Sequence, residues 1–159
     1  MHVINATPQM QAFNSPIWLA LEDYALDHSR EDDMKISVFT GPYLEVEDPV
    51  RFGVKIPLRF WKIIVFIHDE TGELCATGYE MDQEQSLPPS EDEFVFGQFT
   101  SPQLGVATQV SIRSIEEKSG LSFNGLADMD PLASGDESVG GGRGEALPLA
   151  AMEQIRFMR

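Results

Sequence analysis

Asn5, Gln9, Asn14 and Glu22 put four oxygen-bearing side chains into the first 22 residues of this sequence. Amide and carboxylate oxygens are the donors that Mg2+ prefers. Because Mg2+ usually keeps several waters, a site with one protein ligand plus water is chemically sensible. On a helix, the step from Asn14 to Glu22 turns about 800°, leaving the two side chains within ~80° of each other and ~12 Å apart along the axis. That spacing keeps both from touching one ion directly, but allows one direct contact and one through water. Each residue type also has an ordinary role. Asn14 can cap a helix, Glu22 can be a solvated charge, Asn5 can close an Asx-turn, and Gln9 can sit solvated in a loop.

The elements that must position these residues follow from the local pattern. Val3 to Asn5 reads as the end of a strand, and Pro8-Gln9 opens a loop. Ser15-Pro16 is a helix-start signal, because Ser can cap free N–H groups and Pro suits the first helical position. Ile17, Trp18, Leu21, Tyr24 and Ala25 then recur at helical spacing as one apolar face, with Trp18 a core anchor. Ile36 to Phe39 reads as a short buried strand ended by Thr40-Gly41-Pro42, and Glu45 to Pro49 as a loop. Trp61 to His68 and Leu74 to Tyr79 are β-rich runs around a Gly-containing turn, the pattern of a hairpin. Met81 to Glu93 reads as an acidic surface loop. Ser111 to Lys118 is a helix candidate, with Ser114 and Glu117 in capping-box spacing and Gly120 as its stop.

At 159 residues the chain suits one principal domain with a real core. Residues 1–127 form that domain; residues 128–145, rich in Gly, Asp and Ser, read as a flexible linker; residues 146–159 are apolar enough to dock back on the domain. The longest apolar run is Ile63 to Ile67, far short of what a membrane crossing needs. No basic region followed by an apolar stretch marks a signal peptide, and the sequence gives no sign of cellular location. The lone cysteine, Cys75, excludes an internal disulfide and a thiolate zinc site, and its apolar setting reads as a core thiol. The net charge of −15 argues against simple phosphate binding across the surface. A local patch or a metal can still supply positive charge. Arg51, Lys55, Arg59 and Lys62 are either such a patch or scattered solvated charges on strand ends.

The run Asn5-Ala6-Thr7-Pro8-Gln9, followed by Phe13-Asn14, Trp18 and Leu21-Glu22, resembles the metal-binding half of the DNA/RNA non-specific endonucleases, which carry a ββα-metal site. Further matches come in order: Val38-Phe39-Thr40-Gly41-Pro42, Ile56-Pro57 with Phe60-Trp61-Lys62, then Ser111-Ile112, Ile115-Glu116 and Gly120-Leu121-Ser122-Phe123. The resemblance covers roughly residues 3–126. It implies an α+β fold, a central antiparallel or mixed sheet with flanking helices, forming part of the ββα-metal nuclease architecture. It also implies metal-dependent hydrolysis of DNA and RNA phosphodiesters, with Mg2+ (or Mn2+) as cofactor. By the resemblance, Asn14 is the direct metal ligand and Glu22 holds metal-bound water. Asn5 matches the strand-end Asn beside the catalytic His, and Gln9 a loop position near the substrate.

Two departures from the family pattern bear on activity. The Asp-Arg-Gly-His motif that supplies the general base is absent from these residues, and none of His2, His28 and His68 stands in its place. An Arg that some members carry four residues after the helix Glu is Leu26 here. The chain is therefore expected to be an N-terminally truncated member, the C-terminal two-thirds of such an enzyme, with little or no activity alone. The alternative is a degenerate nuclease fold acting as a binding or regulatory module. It would pair with a partner chain or a second copy along the strand edge left by the missing hairpin strand.

Overall fold

Arg59–Ile67 is the strand around which the rest is arranged: nine residues, dominated by β-branched and aromatic side chains. The structure, a computed structural model, describes residues 7–8, 35–67, 72–84, 87, 107–133 and 147–149. In chain order the elements are β1 (Ser37–Pro42), β2 (Val50–Arg51), β3 (Val54–Lys55), β4 (Arg59–Ile67), β5 (Leu74–Asp82), β6 (Ala107–Val110), α1 (Ile112–Ser119), a 3-10 turn (Leu126–Met129) and β7 (Leu147–Leu149). Five strands form one sheet in the order β1-β4-β5-β6-β7, every described pair antiparallel. With a helix packed on it, this is the α+β architecture expected.

One face of the sheet carries Trp61, Ile63, Val65, Ala76 and Val110, which pack with Tyr43, Ile112, Ile115 and Ala127. Gly78 is what lets α1 approach so closely. A Cβ there would lie 2.7 Å from the Val110 carbonyl oxygen and 2.9 Å from Ile115 Cδ1. Phe123, just past the helix, closes this face edge-on to Trp61 at 5.3 Å between ring centroids. The opposite face is buried too: Phe60, Ile64, Cys75, Tyr79 and Met81 alternate with the first set and are at most 5% exposed.

The local signals account for most boundaries, and the differences have physical causes. Ser111, three residues before Ser114, is the N-cap of α1; its Oγ accepts from the Ser114 N–H at 3.2 Å. The helix therefore starts early enough for Ile112 to reach the core. Gly120 ends it with φ of 69°. The strand expected to be buried at Ile36–Phe39 is β1, outermost among the described strands, where Val38 and Phe39 are 46% and 43% exposed. The presumed loop at Met81 begins two residues later, since β5 runs to Asp82 and Gln83 is fully buried. Past Asp128, the chain is still held: Asp130 is fully buried and accepts from the Ile112 and Leu132 N–H groups at 2.6 and 2.9 Å. Leu147–Leu149 adds β7 beside β6. Among the described residues, no helix is long and apolar enough to cross a membrane.

Candidate functional site

Asn5, Gln9, Asn14 and Glu22 lie outside the described residues, as do Trp18, His2, His28 and His68. Two members of the N-terminal motif are placed, Thr7, which is exposed, and Pro8. Pro8 is half-buried, and its carbonyl accepts a hydrogen bond from Gln83 Nε2 at 3.4 Å. The same Nε2 donates to the Pro57 carbonyl at 2.6 Å, and the Gln83 N–H donates to the Leu58 carbonyl at 2.8 Å. Gln83 thus extends the β4–β5 ladder by one step and spends its side chain on two carbonyls that proline residues present. The motif is brought to the Arg59–Asp82 end of the hairpin. Sequence reasoning missed Gln83 because its neighbours Asp82 and Glu84 are exposed and polar.

Alternation along β5 puts Gln83 on the same side as Tyr79 and Met81, the face opposite α1. That face holds a polar row. Lys62 pairs in register with Tyr79, and Tyr79 with Gln109. All three side chains are at most 1% exposed, and none is without a partner. A fully buried ammonium is rare and demands satisfied hydrogen bonds. Lys62 is therefore neither a solvated charge on a strand end nor part of a surface patch with Arg51 and Lys55. The clue in the sequence was its position inside the run Phe60-Trp61-Lys62-Ile63-Ile64, which leaves no exposed register for it.

On the α1 side the charges are mutually engaged. Arg59 is ion-paired with Glu45, with Nε donating to Oε2 at 3.0 Å, and this pairing raises the guanidinium pKa further. Glu80 Oε1 accepts from Tyr43 OH at 2.6 Å and from Lys118 Nζ at 2.7 Å. Burial, then the Glu80 hydrogen bond, pushes the Tyr43 phenol far above its ordinary value, so it acts as a donor and not as a base. Among the described residues, no three His, Cys, Asp or Glu side chains converge as a metal site. The only oxygen donors proposed for a cation are those of the N-terminal segment. An Asn amide oxygen backed by a water-holding Glu is a hard donor set, and its chemistry fits Mg2+ or Mn2+.

Comparison with known proteins gives two findings. The profile of the DNA/RNA non-specific endonuclease family matches residues 1–128. The uncharacterized protein y4fB of Sinorhizobium fredii (strain NBRC 101917 / NGR234) is 31% identical over 151 residues, 92% of this chain, and this chain spans 22% of that relative's length. No solved structure matches.

Proposed function

Since the chain belongs to the DNA/RNA non-specific endonuclease family, we propose that its chemistry is metal-dependent hydrolysis of DNA and RNA phosphodiesters, kept here as a metal half-site. The observation that carries this reading is the family match over residues 1–128, which takes in Asn5, Gln9, Asn14 and Glu22 together. Asn14 supplies the amide oxygen that holds the cation, and Glu22 fixes water beside it by hydrogen bonding. When bound, the cation neutralises charge on the scissile phosphate and eases departure of the leaving oxygen. Asn5 orients the attacking side of the site, and Gln9 contacts substrate. Gln83 serves them indirectly, by holding the backbone at Pro8 between Asn5 and Gln9.

The proton-accepting His of the family's Asp-Arg-Gly-His has no counterpart in these 159 residues. Loss of a general base costs about 10²- to 10⁴-fold in rate, so turnover by this chain alone is weak. The test is Mn2+ binding by electron paramagnetic resonance beside cleavage of plasmid DNA and of RNA. The purified chain should bind Mn2+, Asn14→Ala should not, and cleavage should be slow or absent. Failure of the wild-type chain to bind Mn2+ removes the half-site. Rapid cleavage that Asn14→Ala abolishes refutes the weak-turnover part alone.

A further inference from the structure

We propose that the outer edge of β1 is a self-association surface, at which two copies of this chain pair antiparallel about a two-fold axis at Phe39. The inference stands apart from the nuclease reading and concerns β1, not the strand end expected at Asn5. Among the described residues β1 is the outermost strand on its side of the sheet, and Ser37, Val38, Phe39 and Thr40 are all exposed. The unpaired N–H and C=O groups of such an edge invite another strand, so edges are commonly blunted by charge, a bulge or a covering element. This one is not. Its register with β4 runs unbroken from Ser37 to Pro42, and no charged residue occurs from Ile36 to Leu44.

The ladder says which groups face outward. The Tyr43 N–H donates to the Arg59 carbonyl at 2.9 Å, one step beyond the pair Pro42 and Phe60. Bonded and non-bonded pairs alternate along an antiparallel ladder. Ser37, Phe39 and Gly41 therefore bond to β4, while Val38 and Thr40 turn their N–H and C=O groups outward. Two outward residues around one inward residue make a self-complementary triplet. A two-fold axis at Phe39 sets Val38 opposite Thr40 of the second copy, where both N–H groups find carbonyls. It sets Phe39 opposite Phe39 in the closer, non-bonded pair. On the α1 side the Phe39 ring centroid lies 6.3 Å from that of Phe123, so a second Phe39 extends an aromatic row, and aromatic cross-strand pairs stabilise a register. Charge agrees with this sense of pairing. The uncharged stretch is bounded by Lys35 and Glu45, and antiparallel pairing brings the Lys35 end of each copy to the Glu45 end of the other. It also lets two chains of net charge −15 meet where neither carries charge. A contact of this kind buries less than about 1,200 Å2, which suits a weak, reversible dimer.

The test is sedimentation velocity on the full chain across a micromolar-to-millimolar concentration series. The wild type should pass from monomer to dimer. Phe39→Lys and Phe39→Glu each place like charges face to face at the axis and should each weaken association at least about tenfold. An equimolar mixture of the two should recover it, because opposite charges then meet; a fold that is merely destabilised gives no such recovery. Phe39→Cys should form a disulfide-linked dimer on mild oxidation faster than Ser37→Cys, whose place is opposite Gly41 of the second copy. Added salt should strengthen the dimer by screening the repulsion between the copies. A wild type that stays monomeric throughout overturns the proposal, as does a Phe39→Lys chain that dimerises like the wild type. A dimer that salt dissolves points to a charged face and overturns the edge. A mixture that stays monomeric, or faster cross-linking of Ser37→Cys, overturns the two-fold register.

Discussion

Gln83→Met isolates the one described contact between the sheet and the N-terminal motif. Methionine keeps the length and approximate volume of the side chain and removes its amide. The loss leaves the Pro57 carbonyl, bonded at 2.6 Å in buried surroundings, without this donor, which costs about 1–3 kcal/mol. The Pro8 contact at 3.4 Å is near the limit of hydrogen-bond geometry and adds ~0.5 kcal/mol. Together they come to about 2 kcal/mol. At this chain length each kcal/mol moves the thermal midpoint by roughly 2–4 °C, so the expected fall is about 4–8 °C. The assay is differential scanning calorimetry paired with amide hydrogen exchange read on peptides spanning residues 1–15. Exchange there should speed up in the variant, because the backbone at Pro8 loses its anchor, while exchange in β4 and β5 keeps its rank order. A midpoint within about 1 °C of wild type, with unchanged exchange near Pro8, refutes the reasoning.

Gly78→Ala should lift α1 off the sheet, since the added Cβ meets the Val110 carbonyl at 2.7 Å. A loss of about 1–3 kcal/mol in urea denaturation is expected, and an unshifted midpoint contradicts it. Cys75 is 2% exposed, and burial, reinforced by Glu73, holds its thiol above the ordinary range. Ellman's reagent should therefore leave it unreacted in the native protein at neutral pH and label it at the rate of unfolding; immediate labelling counts against the buried placement. At Asp130, burial outweighs the two backbone N–H bonds and raises the carboxyl above its ordinary value of 3.8. The native protein keeps that proton over a pH interval in which the unfolded chain has released it. The group's contribution to stability is thus complete below the ordinary value and declines as pH rises to the raised one. Asp130→Asn should flatten that part of the midpoint-against-pH curve; an unchanged slope refutes the assignment.

What the sequence disclosed, and what it hid, divides along the range of the forces involved. The β4–β5 hairpin is legible because β-rich runs and Gly72, with φ of 68°, act within a few residues. The stop at Gly120 is legible for the same reason. The span of α1 is legible too, Ser111 to Lys118 against the observed Ile112–Ser119; the cap is not, because Ser111 takes that role in place of the local pattern Ser114-x-x-Glu117, and Ile112 must be helical to lie over Gly78, on a strand more than 30 residues away. The exposure of β1 could not be read from its apolar residues, because a strand's place in the sheet order, not its composition, decides how much of it is covered. The site shares this limit. The family resemblance singles out Asn5, Gln9, Asn14 and Glu22 as candidates, and the long-range bond between Gln83 and Pro8 says where on the sheet Pro8 arrives.

That arrival point constrains the chemistry. Gln83 reaches Pro8 from the face opposite α1, so the N-terminal motif meets the sheet at the end of the face that also carries Lys62, Tyr79 and Gln109. Four residues of strand separate Gln83 from Tyr79, about 13 Å at strand rise. Lys62, in register with Tyr79 and fully buried, therefore lies away from the strand end at which Pro8 is held. The surface of a chain with net charge −15 repels nucleic acid at long range. On the proposed nuclease reading, the positive charge that a phosphodiester needs would therefore be supplied locally, by a cation at the proposed Asn14 ligand, since Lys62 is buried in the sheet and Arg59 is engaged by Glu45.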